Sequence, residues 1–142
     1  MLRAMDAPQA LADLTEISSQ VVDVAIIDEN GAIMATTAAE PGRAERFVAG
    51  IAKLLEQAET LREMRGLSDL AQLEAATLDG SVFVVRRHGR VIAATTRPDP
   101  TVGLVFYDLK HCLRSIEDGG PPPEPEAKPA RASARKRSDA PA

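Results

Sequence analysis

Few side chains in this sequence stand where they could do chemistry together. Asp28 and Asn30, in Asp28-Glu29-Asn30-Gly31, have the alternating oxygen donors that open a calcium loop. Such a loop needs a bidentate glutamate at its twelfth position, which here is Ala39, so the expectation is a plain turn. His111 and Cys112 are adjacent, but neighbours on a helix point about 100° apart and do not form a nucleophile and its base. Cys112 is expected to be a small buried filler, and His88, set in a turn, to be solvated. A phosphate-binding loop ends in Gly-Lys-Ser/Thr so that backbone N–H groups surround the phosphates. The chain has no Gly-Lys pair and so is not itself a nucleotide hydrolase of that kind. With one cysteine, neither an internal disulfide nor a cysteine-based zinc site can form in a single subunit. No residues are assigned to catalysis, to a cofactor or to a metal, and the expectation is a protein that works by binding.

Two basic features remain. Arg86-Arg87-His88-Gly89-Arg90 gathers arginines around an expected hairpin tip. They are either a solvated strand end or a contact for an anionic or acidic partner. A role as an arginine finger would require reach to a transferred phosphoryl group. Arg135-Lys136-Arg137 near the C-terminus is either a solubilising end or an electrostatic contact for lipid or nucleic acid.

Composition bounds the rest. A chain of 142 residues with 44% apolar and 27% charged side chains is long enough for one well-buried core. Aromatics are only 3% and tryptophan is absent, so that core must be built of Leu, Val, Ile and Ala. Nothing approaches the roughly 18 consecutive apolar residues of a membrane span, and no signal-peptide pattern opens the chain. A reducing, cytoplasmic setting fits the cysteine usage. The net charge of −4 argues against nucleic acid as the main partner. Residues 118–142 hold six of the ten prolines, four acidic and five basic side chains and no large apolar residue. This segment cannot bury enough surface to offset its chain entropy and is expected to be a disordered, basic tail following a domain at 1–117.

The elements that would position any surface are legible from periodicity. Leu11, Leu14 and Ile17 mark a first helix over about Pro8 to Ser19. Two β-branched runs around Asn30-Gly31 predict a hairpin, since Gly31 tolerates the positive φ of the turn. Pro41-Gly42 breaks the chain before a long helix from Arg43 to Arg65. Its Phe47, Ile51, Leu54, Ala58 and Leu61 share one arc, with Val48 and Leu55 roughly 80–100° to one side of Phe47. That width suits either a broad core face or a second seam of Val48, Leu55 and the Arg62 stem against another subunit. Residues 70–78 have helical propensity but are expected to form a strand. They lie between the breaking signals Gly66 and Ser68-Asp69 and the Asp79-Gly80 turn into the strand 81–87. His88-Gly89 turns back into the strand 90–96. Asp99 as cap and Pro100 in the first turn open a closing helix, with Val102, Val105, Phe106, Leu109, Leu113 and Ile116 as its buried stripe.

The hairpin Val24 to Ala35, the helix Arg43 to Met64, and Gly80-Ser81-Val82-Phe83-Val84-Val85 followed by Ile92-Ala93-Ala94-Thr95 and Val102-Gly103-Leu104-Val105 carry a resemblance. Over roughly residues 8–117 the chain resembles the roadblock family of dynein light chains and bacterial GTPase regulators, looking most like the bacterial branch. The resemblance implies an α+β fold of order α-β-β-α-β-β-β-α, close to the profilin and longin types. Its five-stranded antiparallel sheet would carry the long helix on one face and the terminal helices on the other. It also implies a homodimer in which the third-strand edges pair and the long helices pack, placing Leu70, Leu73 and Ala75 with Val48, Leu55 and Arg62 at the interface. Arg86, Arg87 and Arg90 are the candidate contacts to a further partner. The implied function is a non-enzymatic regulator or adaptor of a small Ras-like GTPase. A scaffold dimer in a larger complex and a small-ligand or nucleic-acid binder are the alternatives.

Overall fold

The computed structural model describes residues 5–118; of the expected tail at 118–142 only Asp118 is among them, as the last residue of a helix and not of a tail, and 119–142 lie outside. The element order is α1 (Ala7–Ile17), β1 (Val21–Ile27), β2 (Ile33–Thr36), α2 (Arg43–Arg65), β3 (Gln72–Thr77), β4 (Gly80–Arg87), β5 (Arg90–Thr96) and α3 (Val102–Asp118). The strands form one antiparallel sheet in the order β2-β1-β5-β4-β3, as the resemblance implied.

Alternation along the strands divides the core in two. Val24 and Ile26 of β1, Phe83 and Val85 of β4, and Ile92 and Ala94 of β5 face α1 and α3. Cys112 belongs to this cluster as the expected filler, and Phe106 meets Phe83 edge-on with ring centroids 4.9 Å apart. On the opposite face, Ile27, Val84, Val91 and Ala93 pack with Ile51 of α2. The long helix thus lies alone on one side and the terminal helices share the other.

Local chemistry explains the boundaries. Asp6 caps α1 by accepting the Gln9 N–H at 2.9 Å, with Pro8 in the first turn; the helix ends at Ile17, short of the expected Ser19. Asp28 shapes the first hairpin, its Oδ1 accepting the N–H groups of Asn30 and Ala32, while Gly31 takes φ +86°. The Asx turn is what the Asp-x-Asn pattern encodes here. Gly66, at φ +66°, terminates α2.

α3 opens differently from the expected pattern. Asp99 does not cap it: the residue sits at φ +57° and the helix begins at Val102. Gln20, from the connection between α1 and β1, instead accepts the Thr101 N–H at 2.6 Å. A side chain 81 positions away does the work expected of a local cap, which no local pattern encodes. Val102 is also largely exposed, leaving the stripe to start at Val105. Leu61 is 62% exposed, so the buried arc of α2 stops short of it as the helix runs past the sheet.

Candidate functional site

Among the described residues, the open edge at β3 and the flank of α2 above it form an incompletely covered surface. β3 and β2 are both edges of the sheet, but they differ in kind. β2 has four residues and its pairing with β1 is interrupted by a register shift, features that blunt an edge. β3 has six residues in unbroken register with β4, from Gln72↔Val85 to Thr77↔Gly80. Because the Arg86 N–H donates to the Ala71 carbonyl at 2.8 Å, the ladder bonds to β4 fall at alternate residues: Ala71, Leu73, Ala75 and Thr77. The N–H and C=O groups of Gln72, Glu74 and Ala76 therefore point outward along the edge.

α2 is poorly covered for its length. Of its 23 residues only Ala44 and Ile51 are buried, whereas α1 buries four of 11. Phe47, Val48, Leu54 and Leu55 pack partly on the sheet together with Leu73 and Val82. The strip continues into Leu61, Met64 and Leu67, all more than half exposed. The expected interface residues are thus brought to one surface: Val48 and Leu55 on α2, Leu73 and Ala75 on the α2-facing side of β3, and Leu70 half-buried in the connection before it. Arg62 lies toward the end of α2, its Nε donating to Glu59 Oε1 at 2.6 Å and its Nη1 to the Leu67 carbonyl at 2.9 Å in the connection to β3.

The arginines of the β4–β5 tip do not converge. Alternation from Val84 and Val85 puts Arg86 on the α2 side and Arg87 on the side of α3, where Arg90, opposite Arg87, also lies. Arg86 pairs with Glu59, and its Nε donates to the Leu70 carbonyl at 3.3 Å. Arg90 lies 3.9 Å from the Glu29 carboxylate. Glu59 was not singled out in the sequence; it takes part only because the fold brings β4 beneath α2, 27 residues away in the chain. Its two arginine partners hold its carboxyl below the ordinary range, Arg86 most strongly.

The candidate chemical groups of the sequence are not brought together among the described residues. Cys112 is buried, its Sγ donates to the Ala10 carbonyl at 3.5 Å, and burial pushes its thiol up to about 12. His111 stacks on Tyr107 and is not paired with the thiol. Among the described residues, no cluster of three or more His, Cys, Asp or Glu could hold a metal. No helix among them is long and apolar enough to cross a membrane.

The fold is a layered α+β domain, a five-stranded antiparallel sheet with α2 on one face and α1 and α3 on the other. The family description "Roadblock/LC7 domain" matches residues 9–96, and the chain belongs to that family. Members are generally regulatory or adaptor proteins rather than catalysts. The fold is shared with a Roadblock/LC7 domain from Streptomyces avermitilis, at 22% identity and TM-score 0.59, covering 76% of this chain and 95% of that one. It is also similar to MglB from Myxococcus xanthus, at 12% identity and TM-score 0.62, covering 79% and 89%. The gliding protein MglB of Thermus thermophilus aligns at 15% identity and TM-score 0.64, covering 80% and 90%. No curated protein sequence shows significant similarity to the chain.

Proposed function

We propose that this protein is a homodimeric adaptor or regulator that binds a small Ras-like GTPase and contributes no catalytic group of its own. The observation that carries the dimer is the unblunted β3 edge beside a long helix with only two buried residues. Outward-pointing backbone groups at such an edge invite a further strand, and the half-covered strip on α2 needs a second apolar surface. A second copy supplies both at once, with the same patch used on each side of a twofold axis. The GTPase assignment rests on membership of the roadblock family and on the likeness to its bacterial branch. In this reading Arg87 and Arg90, both on the side of the terminal helices, are the candidate tip contacts to the partner, while Arg86 lies on the other face with Glu59 and the Leu70 carbonyl.

The test is capture of a Ras-like GTPase from the same cell by the full chain, with the GTPase nucleotide-loaded and nucleotide-free. Retention of one state over the other supports a regulator. Equal retention of both favours a tether. Capture of neither, by a chain that still self-associates, replaces the regulator with a scaffold dimer.

A further inference from the structure

We infer that Glu59 is the positioning residue of the open edge: its carboxylate gathers the two arginines that hold the segment entering β3, and so sets how that strand is presented to a second copy. The inference rests on the proposed homodimer and concerns how its interface is kept ready.

Residues 67–71 have no helical or strand structure of their own, yet they must deliver Gln72 to the sheet in register. Three of their carbonyls are held from outside. Arg62 Nη1 donates to the Leu67 carbonyl at 2.9 Å, Arg86 Nε to that of Leu70 at 3.3 Å, and the Arg86 N–H to that of Ala71 at 2.8 Å. The two guanidinium groups come from different elements, α2 and β4. Glu59 joins them, one carboxylate oxygen accepting from Arg62 Nε at 2.6 Å and the other from Arg86. All three side chains are between a fifth and a third exposed, so solvent screens them less than a surface pair. Without the carboxylate, two like charges would face each other and the carbonyls would lose directed donors. Glu63, whose contact to Arg62 is longer at 3.6 Å and 71% exposed on its own side, does not reach Arg86 and cannot substitute.

Glu59→Gln removes the charge and keeps the shape. In the full-length chain, hydrogen exchange at the Leu67 and Arg86 amides, which donate to the Arg62 and Ala71 carbonyls, should speed up about tenfold, while β1 and β5 stay protected. The dimer dissociation constant should rise by about the same factor, the worth of one charge-assisted hydrogen bond. Glu63→Gln should change neither. Exchange at Leu67 and Arg86 as slow as in the wild type overturns the inference, as does faster exchange with an unchanged dissociation constant. A wild-type chain that stays monomeric overturns the dimer instead, and the exchange measurement on the monomer still decides whether Glu59 holds the segment.

Discussion

Asp108 shows how far a single residue can depart from its sequence pattern. It lies on α3 between the buried Val105 and Leu109 and is itself buried. Burial raises its carboxyl above the usual range, and His111 offsets this only in part. The folded state therefore keeps a proton there to higher pH than the unfolded chain does. The contribution of Asp108 to stability is complete below its unfolded value and is lost as pH rises through its folded value. At neutral pH the charged carboxylate is a cost, so Asp108→Asn should raise the melting temperature at pH 7 and leave it nearly unchanged at pH 3. Thermal melts at the two values check this; an equal shift at both would mean that ionisation is not the cause. In the sequence Asp108 is one charge among many, because its burial depends on tertiary packing that no local pattern encodes.

Among the elements, β3 is the one whose local preference and final state disagree. Its leucine, alanine, glutamine and glutamate favour a helix, and pairing with β4 overrides them, as strand formation depends on neighbours more than on intrinsic preference. The breaking signals at Gly66 and Asp79-Gly80 made the strand legible, though it spans Gln72–Thr77 instead of 70–78. The Glu59–Arg62–Arg86 network was not legible, since it joins side chains from α2 and β4 that only the tertiary fold brings together. β3 also restricts its own self-pairing. With Gln72, Glu74 and Ala76 directed outward, a twofold axis at Glu74 would set two carboxylates directly opposite each other, which is destabilising. An axis at Leu73 sets Leu73 against its copy and Glu74 against Gln72, which can hydrogen-bond. Leu73 then forms a non-hydrogen-bonded pair with its copy at about 4.5 Å between Cα atoms, within disulfide range. Leu73→Cys should therefore run mainly as a covalent dimer after mild oxidation on non-reducing gels, and Ala75→Cys much less. Cys112, with its thiol pushed up to about 12, stays out of the reaction. If neither variant crosslinks, the strands do not meet at this edge.

At the scale of the molecule, the chain buries each half of its sheet to a different degree. α1 and α3 close one face around a continuous core, whereas α2 crosses the other on a narrower apolar contact of Phe47, Val48, Ile51, Leu54 and Leu55, with an ion pair to the sheet toward each end. Arg43 pairs with Asp23 of β1 at 3.1 Å, and Glu59 pairs with Arg86 of β4. Between these ion pairs Ala44 and Ile51 are buried, Ile51 in the cluster on the sheet, and the flank toward β3 is only partly covered. A Leu73→Arg substitution puts a charge at that junction. The guanidinium can extend past the edge to water in a monomer, but in a paired sheet it would meet its copy beneath two long helices. The variant should keep the circular-dichroism spectrum of the wild type while light scattering reports half the mass. It should also lose capture of the nucleotide-loaded GTPase if the partner reads a surface completed by both copies. A folded variant whose mass equals that of the wild type would show that the β3 edge and the α2 flank are not where this protein meets itself.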